Sequence, residues 1–334
     1  MNIVGEHTDY NAGLVLPTLI PQRTVVTVRV RADAVMSLRS AAEGTAAVQA
    51  SSERLAARGD WSDHVLGVVD ALVRRGHRIG GFDAAVRSDV PIGAGLSSSA
   101  ALAVATARAL RVAFDVAIDD REIARAAHES EDRFVGAHVG LMDQLVCSIG
   151  RVGEALLIDL RDLSTSSVPL AGLDMEIAVI DSGIRHQHAS GAYNTRRREC
   201  DDAARALGVR TLREVPRDTD LRGLSPTLAK RVRHVVTENA RVEAAALAIA
   251  RGEPAALGEI VNASHASLRD DFDVSVPVID AVVAAVQRDA NVFGARIVGG
   301  GFGGSVVVLA RKGAARAAAE RVAEPGMTVV LPAR

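Results

Sequence analysis

Gly93-Ala94-Gly95-Leu96-Ser97-Ser98-Ser99 sets two glycines before three consecutive hydroxyls. The glycines admit backbone conformations that other residues resist. The serines stand where a helix is expected to open, and the free amides and dipole of a helix start favour an anion such as a phosphate. The same hydroxyls could ligate Mg²⁺ or simply cap the helix. An ordinary capped helix after a glycine turn is therefore the competing reading. The small residues that follow, Ala100, Ala101, Ala103, Ala105 and Ala107, allow close packing behind a ligand loop and favour the phosphate.

Two carboxylates come next. On the helix expected from Arg121, an apolar stripe runs Ile123, Ala127, position 131 and Phe134, and position 131 is a glutamate. A carboxylate on a buried stripe costs several kcal/mol unless it is paired or bound to a metal. Glu131 is thus either a hard oxygen ligand for Mg²⁺ or half of a buried salt bridge to an arginine. Asp143 stands in Gly140-Leu141-Met142-Asp143-Gln144-Leu145-Val146, among apolar neighbours at a helix start. It reads equally as a cap or as a carboxylate placed to take a proton from a hydroxyl.

Two further segments carry chemistry. Gly5-Glu6-His7-Thr8-Asp9-Tyr10-Asn11 gathers donors and acceptors around a tyrosine, a composition suited to sugar hydroxyls. No second histidine follows at a zinc spacing. Gly299-Gly300-Gly301-Phe302-Gly303-Gly304 precedes an apolar strand and lacks the placement of a dinucleotide fingerprint. It reads as a tight turn that lets backbone approach another loop closely.

The elements that must hold these segments are partly legible. Thr24 to Val30 alternates as a strand with Val26, Val28 and Val30 on one face. Asp63 to Arg74 is an amphipathic helix, and Phe82 to Val86 a short strand. An alanine-rich helix runs from the serines to about Phe114, and another starts at the Asp119-Asp120 cap. Ala155 to Leu160 and Glu176 to Ile180 read as strands, with the polar stretch Arg161 to Leu173 between them as the domain boundary. Helices are expected around 195–206, 227–250 and 276–288, and a strand over Ser305 to Leu309. Mixed strands and helices without a strict βαβ rhythm predict two α+β domains, over 1–165 and 166–334.

Composition excludes several classes. The 334 residues are 48% hydrophobic and 24% charged, a globular balance. With 39 basic and 41 acidic residues the net charge is −2, so no nucleic acid partner is expected. No apolar run is long enough to span a membrane and no secretory signal is evident. Two cysteines without metal spacing point to a reducing cytoplasm and no disulfide scaffold. Lys230 and Lys312 are the only lysines, and neither lies in a P-loop pattern. If the chain handles ATP, its phosphates must be met by Mg²⁺, backbone amides and arginine.

Taken together and in this order, the four segments resemble the GHMP small-molecule kinases, and in detail the galactokinase family. Gly5 to Asn11 looks like that family's own signature, Pro91 to Ala100 like the shared phosphate motif and Gly299 to Gly304 like the third motif. Tyr193-Asn194-Thr195-Arg196-Arg197, Lys230-Arg231-Val232-Arg233-His234 and Ser264-His265-Ala266-Ser267-Leu268-Arg269-Asp270 are also galactokinase-like. The resemblance implies ATP-dependent phosphorylation of galactose at C1 by a cytoplasmic monomer. Glu6, His7, Asp9, Gly140, Asp143 and Tyr193 would contact the sugar. Gly93, Ala94, Gly95, Leu96, Ser97, Ser98 and Ser99 would cradle the ATP phosphates, Ser99 and Glu131 would hold Mg²⁺, and Asp143 would be the catalytic carboxylate. The implied fold is a two-domain α+β architecture. Its N-terminal domain resembles the second domain of ribosomal protein S5 and its C-terminal domain is ferredoxin-like, with the site between them. The alternatives are a kinase for arabinose or an N-acetylhexosamine, or a non-catalytic relative that senses sugar.

The resemblance has one departure. In the family, Pro-Gly-Arg-Val-Asn precedes the signature loop; here Met1 stands at the valine position, before Asn2. The expectation is an N-terminally truncated sequence lacking an arginine that would work beside Asp143, and hence weakly stable and nearly inactive as it stands.

Overall fold

The computed structural model describes residues 1–334 except 43, 45, 138, 185–188 and 332–334. The first half holds β1 (Leu14–Val15), β2 (Thr24–Val30), β3 (Val35–Ser40), β4 (Val48–Ser51), α1 (Asp63–Arg74), β5 (Phe82–Ser88), α2 (Ser98–Ala113), α3 (Asp120–Glu129) and α4 (Met142–Ile149). The second holds β6 (Glu154–Asp159), β7 (Ser164–Pro169), β8 (Met175–Asp181), α5 (Ala189–Leu207), α6 (Pro226–Arg251), α7 (Pro254–Asp270), α8 (Pro277–Val286), β9 (Val292–Val298), β10 (Ser305–Arg311), α9 (Ala315–Val322) and β11 (Thr328–Leu331). None of the described helices is long and apolar enough to cross a membrane. Two compact units result, one of residues 20–92 and 97–150, the other of 1–19, 93–96 and 151–334.

In the first unit the sheet order is β2-β5-β3-β4. β2 and β5 run antiparallel from Thr24 opposite Ser88 to Val30 opposite Phe82, whereas β3 pairs with β5 in parallel. Met36, Leu38 and Phe82 from the strands meet Leu66, Val69 and Leu72 of α1, Ala103 and Leu110 of α2, and Ile123 of α3 in one buried cluster. Val26 and Val28 pack against it as expected, but Val30, at the strand's end, is exposed. Of the α2 alanines, Ala100, Ala103 and Ala107 are buried, the last two in this cluster, while Ala101 and Ala105 are half-buried. α3 starts at Asp119, whose side chain accepts from Glu122 N while Glu122 reaches back to the Asp119 amide.

The second unit carries two sheets, β1-β6-β7 and β11-β8-β10-β9. Numbering β8, β9, β10 and β11 in chain order, the second sheet reads fourth, first, third, second, with helices after the first and third strands. That is the ferredoxin-like arrangement the resemblance implies. Phe272, Ile279, Val283, Ile297, Val306 and Val308 form its core with Ala315 and Ala319 of α9.

One local reading is corrected. Arg161 to Leu173, taken as a turn-rich boundary, contains β7, paired with β6 from Glu154–Pro169 to Asp159–Ser164. Only Val168 of this strand is buried, so it has almost no apolar alternation to reveal it. Among the elements for which the sequence reading had no expectation (β1, β3, β4, α7, β9, α9 and β11), α7 contains a glycine. Gly258 lies where the helix backbone meets β9: a Cβ there would stand 2.2 Å from Phe293 O, and one on Gly294 would stand 2.3 Å from Gly258 O. Gly258 lowers helix propensity yet is required by the contact. Gly258→Ala is expected to destabilise the fold by about 1–3 kcal/mol, through overpacking of backbone that cannot move aside. Urea unfolding followed by circular dichroism checks this; an unchanged midpoint would mean the two elements separate freely.

Candidate active site

The N-terminal signature is a loop shaped by its neighbours in the second unit. Ile3 N donates to Leu16 O at 3.0 Å and Leu16 N to Val4 O at 3.1 Å, which closes the segment on itself. Thr8 Oγ1 lies 2.6 Å from Leu14 O and 2.8 Å from Gly5 O. Gly5, at φ 104°, is pressed so closely on this strand that a Cβ would meet Leu14 O at 2.7 Å. The remaining backbone groups are taken up by α6. Gly5 N donates to Glu238 Oε1 at 2.9 Å, Leu14 N donates to Asn239 Oδ1 at 2.7 Å, and His234 Nε2 lies 3.0 Å from Glu6 O.

These α6 residues were not among the predicted site residues, although His234 lies in one of the family-like segments. Their signal is the one used for Glu131: Arg231, His234, Glu238 and Arg241 recur at three- and four-residue spacing on a helix face otherwise carried by Val235 and Val242. Glu238 has no solvent exposure. Burial would raise its pKa, but Arg241, His234 and the Ser264 hydroxyl hold it down to about 2. It is thus an ionised carboxylate that accepts from the Gly5 amide, the Ser264 hydroxyl and Arg241 Nε, a fixed post for the loop.

Above that post sits an aromatic cup. His7, itself at φ 62°, lies 4.7 Å from the Phe272 ring, 5.3 Å from Tyr193 of α5 and 5.8 Å from Tyr10. Its Nδ1 is 2.9 Å from the Tyr10 hydroxyl, while its Nε2 is buried without a hydrogen-bond partner. Burial first, then the neighbouring His234, push the His7 pKa down to about 3. The ring is neutral at physiological pH. Burial without a partner makes Nε2 a natural group to meet a ligand hydroxyl. Tyr193 also faces Gly300, where a Cβ would stand 3.2 Å from its ring. Asp9 follows on a half-buried 3-10 turn, Asp9–Asn11. Glu6 is buried: its Oε1 accepts from Gly299 N at 2.9 Å and from Arg296 Nη2 at 3.1 Å, and its Oε2 from Asn2 Nδ2 at 3.3 Å. Glu6, His7 and Tyr193 are therefore brought together against the third glycine motif.

That motif has the role predicted for it. Gly95 (φ 72°) sits on the Gly299 turn so tightly that a Cβ on Gly299 would stand 2.9 Å from Gly95 Cα. Ser305 Oγ donates to Ala94 O at 2.6 Å and fixes the same stretch, with Leu96 buried beside it. Gly93 is also left-handed, at φ 71°. Ser97, which precedes Ser98 at the start of α2, adopts φ 60° and makes no side-chain cap bond. The ordinary capped-helix reading does not describe this terminus.

The two carboxylates and Ser99 come together in the first unit. α3 ends at Glu129 and continues as a π-helical turn, Ser130–Val135, which carries Glu131 inward rather than along a regular α-helical stripe. Glu131 is buried, takes a hydrogen bond from Gln144 Nε2, and feels the nearby Ser99 hydroxyl and the charge of Asp143. Burial, reinforced by Asp143, pushes its pKa up to about 7. Among the described residues its ion-pair partner is His64 Nδ1 at 3.9 Å, not an arginine. Burial lowers the His64 pKa, so that ring is neutral. The salt-bridge reading of Glu131 is not met. Asp143 is the second residue of α4, half-buried; Leu141 occupies the cap position, so Asp143 is not the cap. Gly140 lies just before this helix. Gln144, fully buried with its Oε1 unpartnered, was not anticipated. No group of three or more His, Cys, Asp or Glu able to hold a metal occurs among the described residues.

Comparison with known proteins is consistent along the chain. The family model for the GHMP kinases N terminal domain matches residues 63–151, that for GHMP kinases C terminal matches 245–326, and the galactokinase galactose-binding signature matches 1–30. The chain is 42% identical to a galactokinase of Roseiflexus sp. (strain RS-1) over 93% of its own length and 82% of that protein. It is 38% identical to a galactokinase of Thermotoga maritima over 94% of its length and 88% of the relative. The crystal structure of Lactococcus lactis galactokinase complexed with galactose superposes with a TM-score of 0.92 at 30% identity, over 98% of this chain and 90% of that one. Methanococcus jannaschii mevalonate kinase, at 15% identity and a TM-score of 0.71, shares the fold. The fold is the two-domain α+β fold of the GHMP kinases, and the chain belongs to the galactokinase family.

Proposed function

We propose that this chain transfers the γ-phosphoryl group of ATP to the C1 hydroxyl of galactose, giving galactose 1-phosphate and ADP. The observation that carries this reading is the galactose-binding signature at residues 1–30 in a chain that matches galactokinases over more than nine tenths of its length. No observation favours another sugar 1-kinase or a non-catalytic sensor. Two free thiols, Cys147 and Cys200, fit a reducing compartment, and we take the enzyme to be a cytoplasmic monomer acting on two small molecules.

In this reading Glu6, His7, Asp9, Gly140 and Tyr193 bind the sugar. His7 Nε2 supplies a neutral donor or acceptor, and Tyr193 a ring wall. Asp143 takes the C1 hydroxyl proton as the new O–P bond forms and the bond to the ADP oxygen breaks in line. Positioning and charge stabilisation supply most of the rate enhancement. Gly93 to Ser99 hold the phosphates through backbone amides. Mg²⁺ fits Ser99 and Glu131: a hydroxyl and a buried carboxylate without a cation form a hard oxygen donor set, and Mg²⁺ habitually takes few protein ligands together with substrate phosphates. When bound, it supplies positive charge to the transferring phosphates.

Three outcomes test these assignments. Galactose is expected to exceed glucose in kcat/KM by about tenfold or more, because a carboxylate such as Asp9 left unpaired against the wrong C4 epimer costs about 1–3 kcal/mol; equal values would sink the sugar assignment. Asp143→Asn is expected to lower kcat by about 10²–10⁴-fold and to leave ATP affinity intact; retention of more than a tenth of kcat would remove Asp143 as the base. The third concerns Glu131, whose carboxyl titrates near 7 in the folded chain against an ordinary value of 4.5. The folded chain therefore holds a proton that the unfolded chain releases, and metal-free stability falls as pH rises through that window. Glu131→Gln removes this term. Above pH 7 the metal-free variant should be more stable than the parent by on the order of 1–3 kcal/mol, converging with it at acid pH, and Mg²⁺ should no longer raise its melting temperature in the presence of ADP. Parallel stability–pH curves would return Glu131 to a purely structural role.

A further inference from the structure

Arg296 on β9 is the largest fully buried side chain described, with 0% exposure, and no residue role assigned above uses it. A guanidinium taken wholly out of water must have its donors met. Here Nε donates to Ile3 O at 2.8 Å, Nη1 to Ile297 O at 2.7 Å, and Nη2 to Asn2 O at 2.7 Å and to Glu6 Oε1 at 3.1 Å. Three of these four bonds reach the N-terminal segment, two at Asn2 and Ile3 just before the signature loop and one at Glu6 within it. The Glu6 oxygen that Arg296 engages also accepts from Gly299 N. Gly299 in turn is the residue on which Gly95 is seated.

We propose that Arg296 is a positioning residue for phosphoryl transfer, setting the signature loop and the phosphate loop from one buried guanidinium. The proposal rests on the galactokinase reading for the identity of the sugar, but its nucleotide half does not. A planar fork is needed because the acceptors are fixed backbone carbonyls in different directions; a lysine keeps the charge but meets fewer of them. Without the guanidinium, Glu6 would be a buried carboxylate deprived of the cation that pairs with it. Glu6, and with it the Gly299 amide that donates to it, would then no longer be fixed in place.

The test uses the full chain with Arg296→Met and Arg296→Lys. Folding is followed by thermal melting, galactose binding by calorimetry without ATP, and nucleotide binding by fluorescence of a labelled ADP. Galactose-dependent ADP release by the parent protein is measured first. The expected result is a folded Arg296→Met that binds both galactose and ADP at least about tenfold more weakly, with Arg296→Lys recovering part of each loss. The KM values for both substrates should rise more than kcat falls. A folded Arg296→Met with parental affinities overturns the proposal. So does failure of both variants to fold, which would make Arg296 a residue of stability alone. If the parent releases no ADP with galactose, the functional reading fails separately. The proposal is then decided by labelled ADP: weaker binding to the variants upholds it, and unchanged binding overturns it.

Discussion

A carboxylate removed from water has to be met by a cation or by enough hydrogen-bond donors, and this constraint organises the site. Three buried glutamates satisfy it in three ways. Glu238 has Arg241, Ser264 and the Gly5 amide, and stays ionised with a pKa near 2. Glu6 has Arg296 and the Gly299 amide. Glu131 has a hydroxyl, an amide and a second carboxylate nearby, and its pKa climbs to about 7. The first two are complete in the protein itself, so they hold backbone. The third is incomplete, so it is suited to hold something that arrives.

The same logic distinguishes rigid from receptive groups in the aromatic cup. His234 uses both ring nitrogens within the protein, one facing Ser267 and one facing Glu6 O. His7, packed between the same Phe272 ring and Tyr193, has only one nitrogen engaged. Two buried, neutral imidazoles that pack on the same Phe272 ring therefore have different work. One anchors the loop, and the other faces the sugar in the proposed reaction. Desolvation is what keeps both neutral, and a neutral ring can either donate or accept toward a hydroxyl.

Glycine contributes space as much as flexibility. At Gly95 and Gly299 two backbones touch, and a side chain on either would push the Gly93–Ser99 loop off its seat. At Gly258 and Gly294 the same device brings α7 onto β9, which carries Arg296. The signature loop, the phosphate loop and the strand that joins them are thus held at backbone distance, where small shifts are not absorbed by side-chain motion.

Much of this was legible in the residues themselves. Strong period and cap chemistry place α1, β2 and the start of α3 where the sequence reading has them, because each is decided by its own residues: Val65, Leu66, Val69 and Leu72 at helical spacing, alternating valines, and the Asp119–Glu122 box. The helical-stripe count marks Glu131 as buried although a π-turn carries it there, and the three consecutive glycines from Gly299 signal the close approach of backbone. Other features belong to the tertiary structure alone. β7 is a strand only because β6 lies beside it, and α7 keeps Gly258 only because β9 does. The π-turn that carries Glu131 inward leaves no mark in a pattern counted at 3.6 residues per turn. Whether a buried carboxylate is saturated or waiting depends on partners far along the chain, such as Arg296 for Glu6 across 290 residues. Local sequence encodes which groups are buried; only the folded chain decides which donors reach them, because hydrogen bonds of this kind are made between segments whose separation in sequence carries no periodic signal.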